Sequence, residues 1–223
     1  MGWFSKPKRI DILDFKLSRD ELMRRSRILI IDDERPDLID DLHATGYAVD
    51  YVPDITTQNI NQVEKLKYDL IVLDFKSVGT SFGPDEGLSL LRHIKRVNPS
   101  VIVFAYTSKT LGSEHADFYR LVDGVLRKDA GIAESTEKIE QGLQQSRSVQ
   151  NLWSSMLHLT NIQAGSKEDL EWQDLYVRSL TSKRKTATLK QKLLSAVTGE
   201  EAKQVGVILL EKLIEVGLRG ITG

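Results

Sequence analysis

The chain has 223 residues, of which 40% are hydrophobic and 28% charged, with a formal net charge of −1. That length holds one large or two small domains, and the near-neutral balance leaves no whole-chain field to draw the protein onto nucleic acid or acidic lipid. Without a cysteine there is no disulfide, no thiol chemistry and no zinc–thiolate site. No apolar run approaches the roughly 20 residues of a membrane span; the best, Val205 to Leu218, is interrupted by Glu211, Lys212 and Glu215. Met1-Gly2-Trp3-Phe4 lacks the apolar core of a signal peptide. The expectation is a cytoplasmic protein without membrane contact.

In chain order, the first residues alternate loosely at Ile10, Ile12 and Asp14, as an arm or an added edge strand would, with Trp3 and Phe4 as a possible partner contact. Ser18 followed three residues later by Glu21 has capping-box spacing and starts a short helix through Arg25. Arg27-Ile28-Leu29-Ile30-Ile31 then reads as a strand buried on both faces, the kind found in parallel sheets covered by helices on each side. It runs into Asp32-Asp33-Glu34. Three adjacent carboxylates repel one another unless a cation lies between them, and oxygen-only ligands suit a hard ion such as Mg2+. The simpler alternative is that Asp33 only caps the helix opening at Pro36.

From there strand and helix signals alternate. A helix is expected over Pro36 to Thr45, closed by Gly46, then a strand over Tyr47 to Val52 and a helix around Ile60 to Lys67. Asp69 to Asp74 is the third strand, Gly87 to Val97 a helix with an apolar stripe, and Val101 to Ala105 the fourth strand. A helix over His115 to Leu121, a fifth strand over Gly124 to Arg127 and a helix from Ser135 complete the pattern. Five strands alternating with helices imply an α/β fold with a doubly wound, five-stranded parallel sheet. Ligands of such sheets bind beyond the carboxyl ends of the strands. Asp32 and Asp33 follow strand one, Asp74 ends strand three and Lys128 follows strand five, so the topology brings all four to one edge.

Over about Arg27 to Ser146 the chain resembles the receiver domain of bacterial two-component response regulators. The resemblance rests on Ile30-Ile31-Asp32-Asp33-Glu34, Asp69-Leu70-Ile71-Val72-Leu73-Asp74, Gly87-Leu88-Ser89-Leu90-Leu91-Arg92 and Val125-Leu126-Arg127-Lys128-Asp129-Ala130. It implies a CheY-like (flavodoxin-like) fold with Asp74 as phosphoryl acceptor. Asp32, Asp33, Asp74 and the backbone carbonyl of Lys76 would be ligands of Mg2+, and Lys128 the phosphoryl contact. It also implies a histidine kinase or phosphotransfer protein as partner, and a signalling protein rather than an enzyme, with at most self-phosphorylation and self-dephosphorylation.

Three departures stand out. The loop from Asp74 to Gly87 is longer than usual, and its glycines suggest flexibility. The hydroxyl residue expected at the end of strand four falls on Ala105, with Thr107 or Ser108 as substitutes. The switch aromatic expected before the lysine is Val125, with Tyr106 nearby but out of place. They point to unconventional signal transmission.

Past Ser135 the apolar spacing continues through Ile139, Leu143, Val149, Trp153 and Met156, which predicts one long stalk and favours a homodimer. Helices over Lys167 to Leu180, Thr186 to Val197 and Glu200 to Leu218 follow, forming a bundle or oligomerisation module. The expected divisions are therefore 1–26 as arm and short helix, 27–146 as receiver-like domain and 147–223 as stalk and helical bundle. Lys183, Arg184 and Lys185 form a basic patch, which admits a transcriptional regulator with a DNA-binding tail. The acidic residues of the next helix speak against it, and a downstream protein partner is the favoured output. A receiver-like scaffold that works without phosphorylation is the other alternative. His43, His93, His115 and His158 have no metal-ligand spacing.

Overall fold

The structure, a computed structural model, describes residues 10–13, 16–64, 67–108 and 116–222. The chain divides into two compact units, Leu17–Ser146 and Met1–Lys16 with Arg147–Gly223. The expected arm is thus split between them.

The first unit opens with α1 (Arg19–Arg25), which Ser18 and Glu21 cap reciprocally as the spacing implies. Five strands follow: β1 (Arg27–Ile31), β2 (Ala48–Val52), β3 (Leu70–Asp74), β4 (Ile102–Thr107) and β5 (Gly124–Arg127). They pair in the parallel order β2-β1-β3-β4-β5. The connecting helices are α2 (Leu38–Ala44), α3 (Asn61–Glu64), α4 (Gly87–Val97), α5 (Ala116–Leu121) and α6 (Ile132–Ser146). This is the doubly wound sheet that the alternation implies, and order reverses between β1 and β3.

Side-chain alternation sorts the strands into two faces. Leu29, Ile31, Ile71, Leu73, Val103 and Ala105 pack with Val63 of α3, Leu91 of α4 and Phe118 of α5. Residues of the other parity face α6. There a Cβ on Gly142 would stand 2.7 Å from Leu70 and from Phe104, so α6 lies too close to the sheet for any side chain at that position. The last four residues of β1, Ile28 to Ile31, are fully buried, as their aliphatic run requires.

Several boundaries move. α2 starts at Leu38, with Asp37 at its cap position, so Asp33 is not the cap. β4 runs two residues past Ala105, to Thr107. α6 starts at Ile132 rather than Ser135. The expected stalk is broken: α6 ends at Ser146 and α7 (Val149–Thr160) begins afresh at Ser148, whose extended backbone and side-chain oxygen cap it. An N-cap serine ends one helix and starts another without disturbing the apolar spacing, which is why periodicity alone read through it.

The second unit is helical. A 3-10 helix over Ile10–Leu13 stands where an edge strand was one expectation, and Trp3 and Phe4 lie outside the described residues. α7 is followed by α8 (Lys167–Ser179), α9 (Lys183–Ala196) and α10 (Glu200–Thr222). Leu13, Trp153, Trp172, Tyr176, Leu193 and Leu213 lie in their shared core.

Candidate functional site

Parity positions the site. Asp32 lies one residue beyond β1 on the α6 side of the sheet, Asp74 ends β3 on the same side, and Lys128 follows β5 with the parity of buried Leu126. One oxygen from each of Asp32, Asp33 and Asp74 falls within a 4.8 Å group. Lys128 Nζ stands 2.7 Å from Asp32 Oδ2 and 2.9 Å from Asp74 Oδ2, bridging the two. Asp32 is fully buried and Asp33 is exposed at the rim.

The remaining lone pairs are placed by backbone. Glu34 N–H donates to Asp32 Oδ1 at 3.0 Å, Phe75 N–H to Asp74 Oδ1 at 2.7 Å, and Tyr51 Oη–H to the Asp32 carbonyl at 3.0 Å. Burial pushes the Asp32 carboxyl up, against the hydrogen bond from Lys128 that works the other way. Burial also disfavours the Lys128 ammonium, but its hydrogen bonds to Asp32 and Asp74 outweigh that and hold it above the usual lysine range. The donor set is three hard carboxylate oxygens without nitrogen or sulfur, which fits Mg2+.

The loop after Asp74 is tied down, contrary to the flexibility its glycines suggest. Gly79 N–H donates to Asp54 Oδ1 at 2.5 Å, Thr57 N–H to Ser81 Oγ at 3.2 Å, and Ser77 N–H to Glu86 Oε2 at 3.0 Å. Val78 is fully buried. Glu86 has φ 47° and ψ −122°, a strained conformation for a non-glycine residue. Gly87 closes the loop by donating to the Phe75 carbonyl at 3.1 Å, and a Cβ there would meet that oxygen at 2.6 Å. Lys76 is exposed in the same loop.

The end of β4 differs from the expected register. Asp74 pairs with Tyr106, while Ala105 pairs with Leu73 and belongs to the opposite face. Tyr106 is only 6% exposed, with its ring 5.3 Å from Lys128 Nζ. Burial and the nearby Asp32 carboxylate raise its hydroxyl pKa. Thr107 is buried at the strand end, and Val125, paired with Ala105, packs on the α4 side. Tyr106 therefore takes the place level with Asp74. Sequence reading missed this because register is set by where β4 starts pairing, at Ile102 opposite Leu70.

Lys183, Arg184 and Lys185 form the exposed first turn of α9 rather than a link between helices. His115 lies outside the described residues.

No protein-family model matches the chain, and no curated protein matches it either. Solved structures do. A CheY-like receiver domain protein from Methanospirillum hungatei is 21% identical, with 54% of this chain and 95% of that one covered and a TM-score of 0.45. A two-component response regulator from Clostridium difficile is also 21% identical, covering 53% of this chain and 96% of that one, at a TM-score of 0.44. NtrX from Brucella abortus, solved with ATP, is 19% identical; the match covers 70% of this chain but 34% of NtrX, at a TM-score of 0.48. None of the described helices is long and apolar enough to cross a membrane.

Proposed function

We propose that the Leu17–Ser146 unit is a receiver that accepts a phosphoryl group on Asp74. The observation that carries this reading is the convergence of Asp32, Asp33 and Asp74 with Lys128 bridging two of them. In the proposed step an Asp74 carboxylate oxygen forms a bond to phosphorus while the bond from phosphorus to the donor's imidazole nitrogen breaks. The electron pair leaves with the imidazole, which takes up a proton. Mg2+ held by Asp32, Asp33, Asp74 and the Lys76 carbonyl would supply neutralisation of the phosphoryl oxygens. Lys128 is placed to move its ammonium from Asp74 Oδ2 onto a phosphoryl oxygen, and the Phe75 N–H orients the carboxylate.

The donor is a histidine kinase or phosphotransfer protein in the cytoplasm, and the output is a contact of the helical unit with a downstream protein or with a second copy. Replacing the carboxylate with a more negative, acceptor-rich group changes the partners available to Lys128 and the Asp74–Gly87 loop. Because Tyr106 and Val125 stand where the usual hydroxyl and aromatic are expected, transmission runs through a different pair of side chains.

The test is fluorine NMR of beryllofluoride with and without Mg2+, on the native chain and on Asp74→Asn. The expected result is a bound signal that requires Mg2+ and is lost in the variant. No bound signal in the native chain overturns the reading in favour of a receiver-like scaffold that works without phosphorylation.

A further inference from the structure

Beside the acceptor carboxylate lies a cleft of about 400 Å³, lined by residues that follow β1 and β5, by Tyr106 near the end of β4, and by the first turns of α2 and α6. That volume is within the range of small-molecule sites, about 300–1,000 Å³. Its mouth carries Glu34, Asp37 and Asp41, all exposed. Asp37 stands at the cap position of α2 without making a side-chain cap bond, and Asp41 follows one turn later on the same face. Among the described residues none of the three carboxylates has an ion-pair partner. The two cations of the lining are already engaged, Lys128 by Asp32 and Asp74 and Arg35 by Asp40.

A second observation is independent of that charge. Tyr106 lines the cleft while nearly fully buried, and its hydroxyl has no hydrogen-bond partner among the described residues. The lining is mainly polar, and Pro36, Leu38, Ala130 and the exposed Ile132 are its apolar members. Among the described residues only Asp32, Asp33 and Asp74 bring carboxylate oxygens close enough for one metal ion, so Glu34, Asp37 and Asp41 are too spread to form a second metal centre of their own.

We infer that this cleft is a second ligand site, for an organic cation: an alkylammonium or guanidinium group on a short apolar stem. The cation would sit against Asp37 and Asp41 with Tyr106 as a polar contact, and the stem against Leu38 and Ile132. Such a group belongs either to a free amine or to a lysine or arginine side chain of a partner. The inference goes beyond phosphoryl acceptance and does not depend on it, although Asp32 and Lys128 line both sites.

The experiment is amide NMR of the full chain without Mg2+ or phosphoryl donor, at about 150 mM salt, where loose surface attraction is screened. Putrescine stands for the free amine, N-acetyl-lysine methylamide for the side chain, and butane-1,4-diol for the uncharged control. Saturable shifts at Leu38, Tyr106, Ala130 and Ile132 with either amine are expected, and the tighter one identifies the source. Asp37→Asn with Asp41→Asn should weaken binding about tenfold or more, as loss of charged hydrogen bonds does. Tyr106→Phe, which keeps the ring and its packing, should weaken it about tenfold. The inference is overturned by no saturable shift with either amine, by equal shifts with the diol, or by unchanged affinity in either variant. Because no phosphoryl chemistry enters, its failure is separable from failure of the beryllofluoride test.

Discussion

Replacing Lys128 by methionine isolates the electrostatics of the acid site. Its ammonium stands 2.7 Å from Asp32 and 2.9 Å from Asp74. At an effective dielectric constant near 20 each contact is worth about 6 kcal/mol of gross Coulomb energy. Desolvation offsets most of that, and removing one partner of a buried pair typically costs about 3–5 kcal/mol because the other charge is stranded. Asp32 is fully buried while Lys128 is partly exposed, so the lower end, about 3 kcal/mol at neutral pH without Mg2+, is expected. The Asp32 carboxyl is already raised by burial, and losing the lysine raises it further. A group whose folded pKa lies above its unfolded value favours the fold most at low pH and loses that contribution as pH rises through the folded value. The deficit of Lys128→Met is therefore largest near pH 7 and shrinks toward about pH 5. Tryptophan fluorescence is the wrong probe, because Trp153 and Trp172 lie in the helical unit. Amide exchange of Leu29, Ile31 and Ile71 reads the sheet itself. Adding Asp32→Asn should recover most of the loss. A deficit below about 1 kcal/mol, or one that is equal at both pH values and not recovered, would refute the argument.

Other perturbations test other parts of the chain. Tyr47 Oη–H donates to Glu140 at 2.8 Å, and burial, with that carboxylate, pushes the phenol up to about 12. The native state then holds the proton longer than the unfolded chain, so stability falls as pH rises from about 10 through about 12, by about 2–3 kcal/mol, a slope absent in Tyr47→Phe by urea unfolding. In Gly217→Ala the new methyl would stand 2.2 Å from Tyr176 Oη, so a loss of about 1–3 kcal/mol is expected, read by tryptophan fluorescence and partly recovered by Tyr176→Phe. Gly87→Ala pushes a methyl against the Phe75 carbonyl and should weaken beryllofluoride binding about tenfold while leaving sheet amide protection intact. Substituting Lys183, Arg184 and Lys185 with glutamine should change no salt-dependent DNA retention; a loss would revive the DNA-binding tail.

The sequence alone determines the sheet and most of the acid site, and the reason is local. Four aliphatic residues in a row at Ile28–Ile31 demand burial on both faces, and an acid directly after such a strand must stand at its carboxyl edge. The same logic holds for Asp74 after β3 and Lys128 after β5, so the convergence of Asp32, Asp74 and Lys128 follows from chain order and topology. α4 has the bounds its apolar stripe and Gly87 imply, Gly87–Val97.

What only the tertiary structure decided depends on relations between segments distant in sequence. Tyr106 comes level with Asp74 because β4 starts pairing at Ile102 opposite Leu70, and a shift of one residue would turn Ala105 to that face instead. The glycine-rich loop is held by Asp54, which lies before α3 and is adjacent to it only in the fold. The expected stalk breaks after Ser146 because the Ser148 oxygen caps the next helix, a choice the apolar spacing through Leu143, Val149 and Trp153 does not register. Periodicity reports which face of a segment is apolar; it carries no information on which backbone hydrogen bonds a side chain will take over, and those bonds set register, loop anchoring and helix ends.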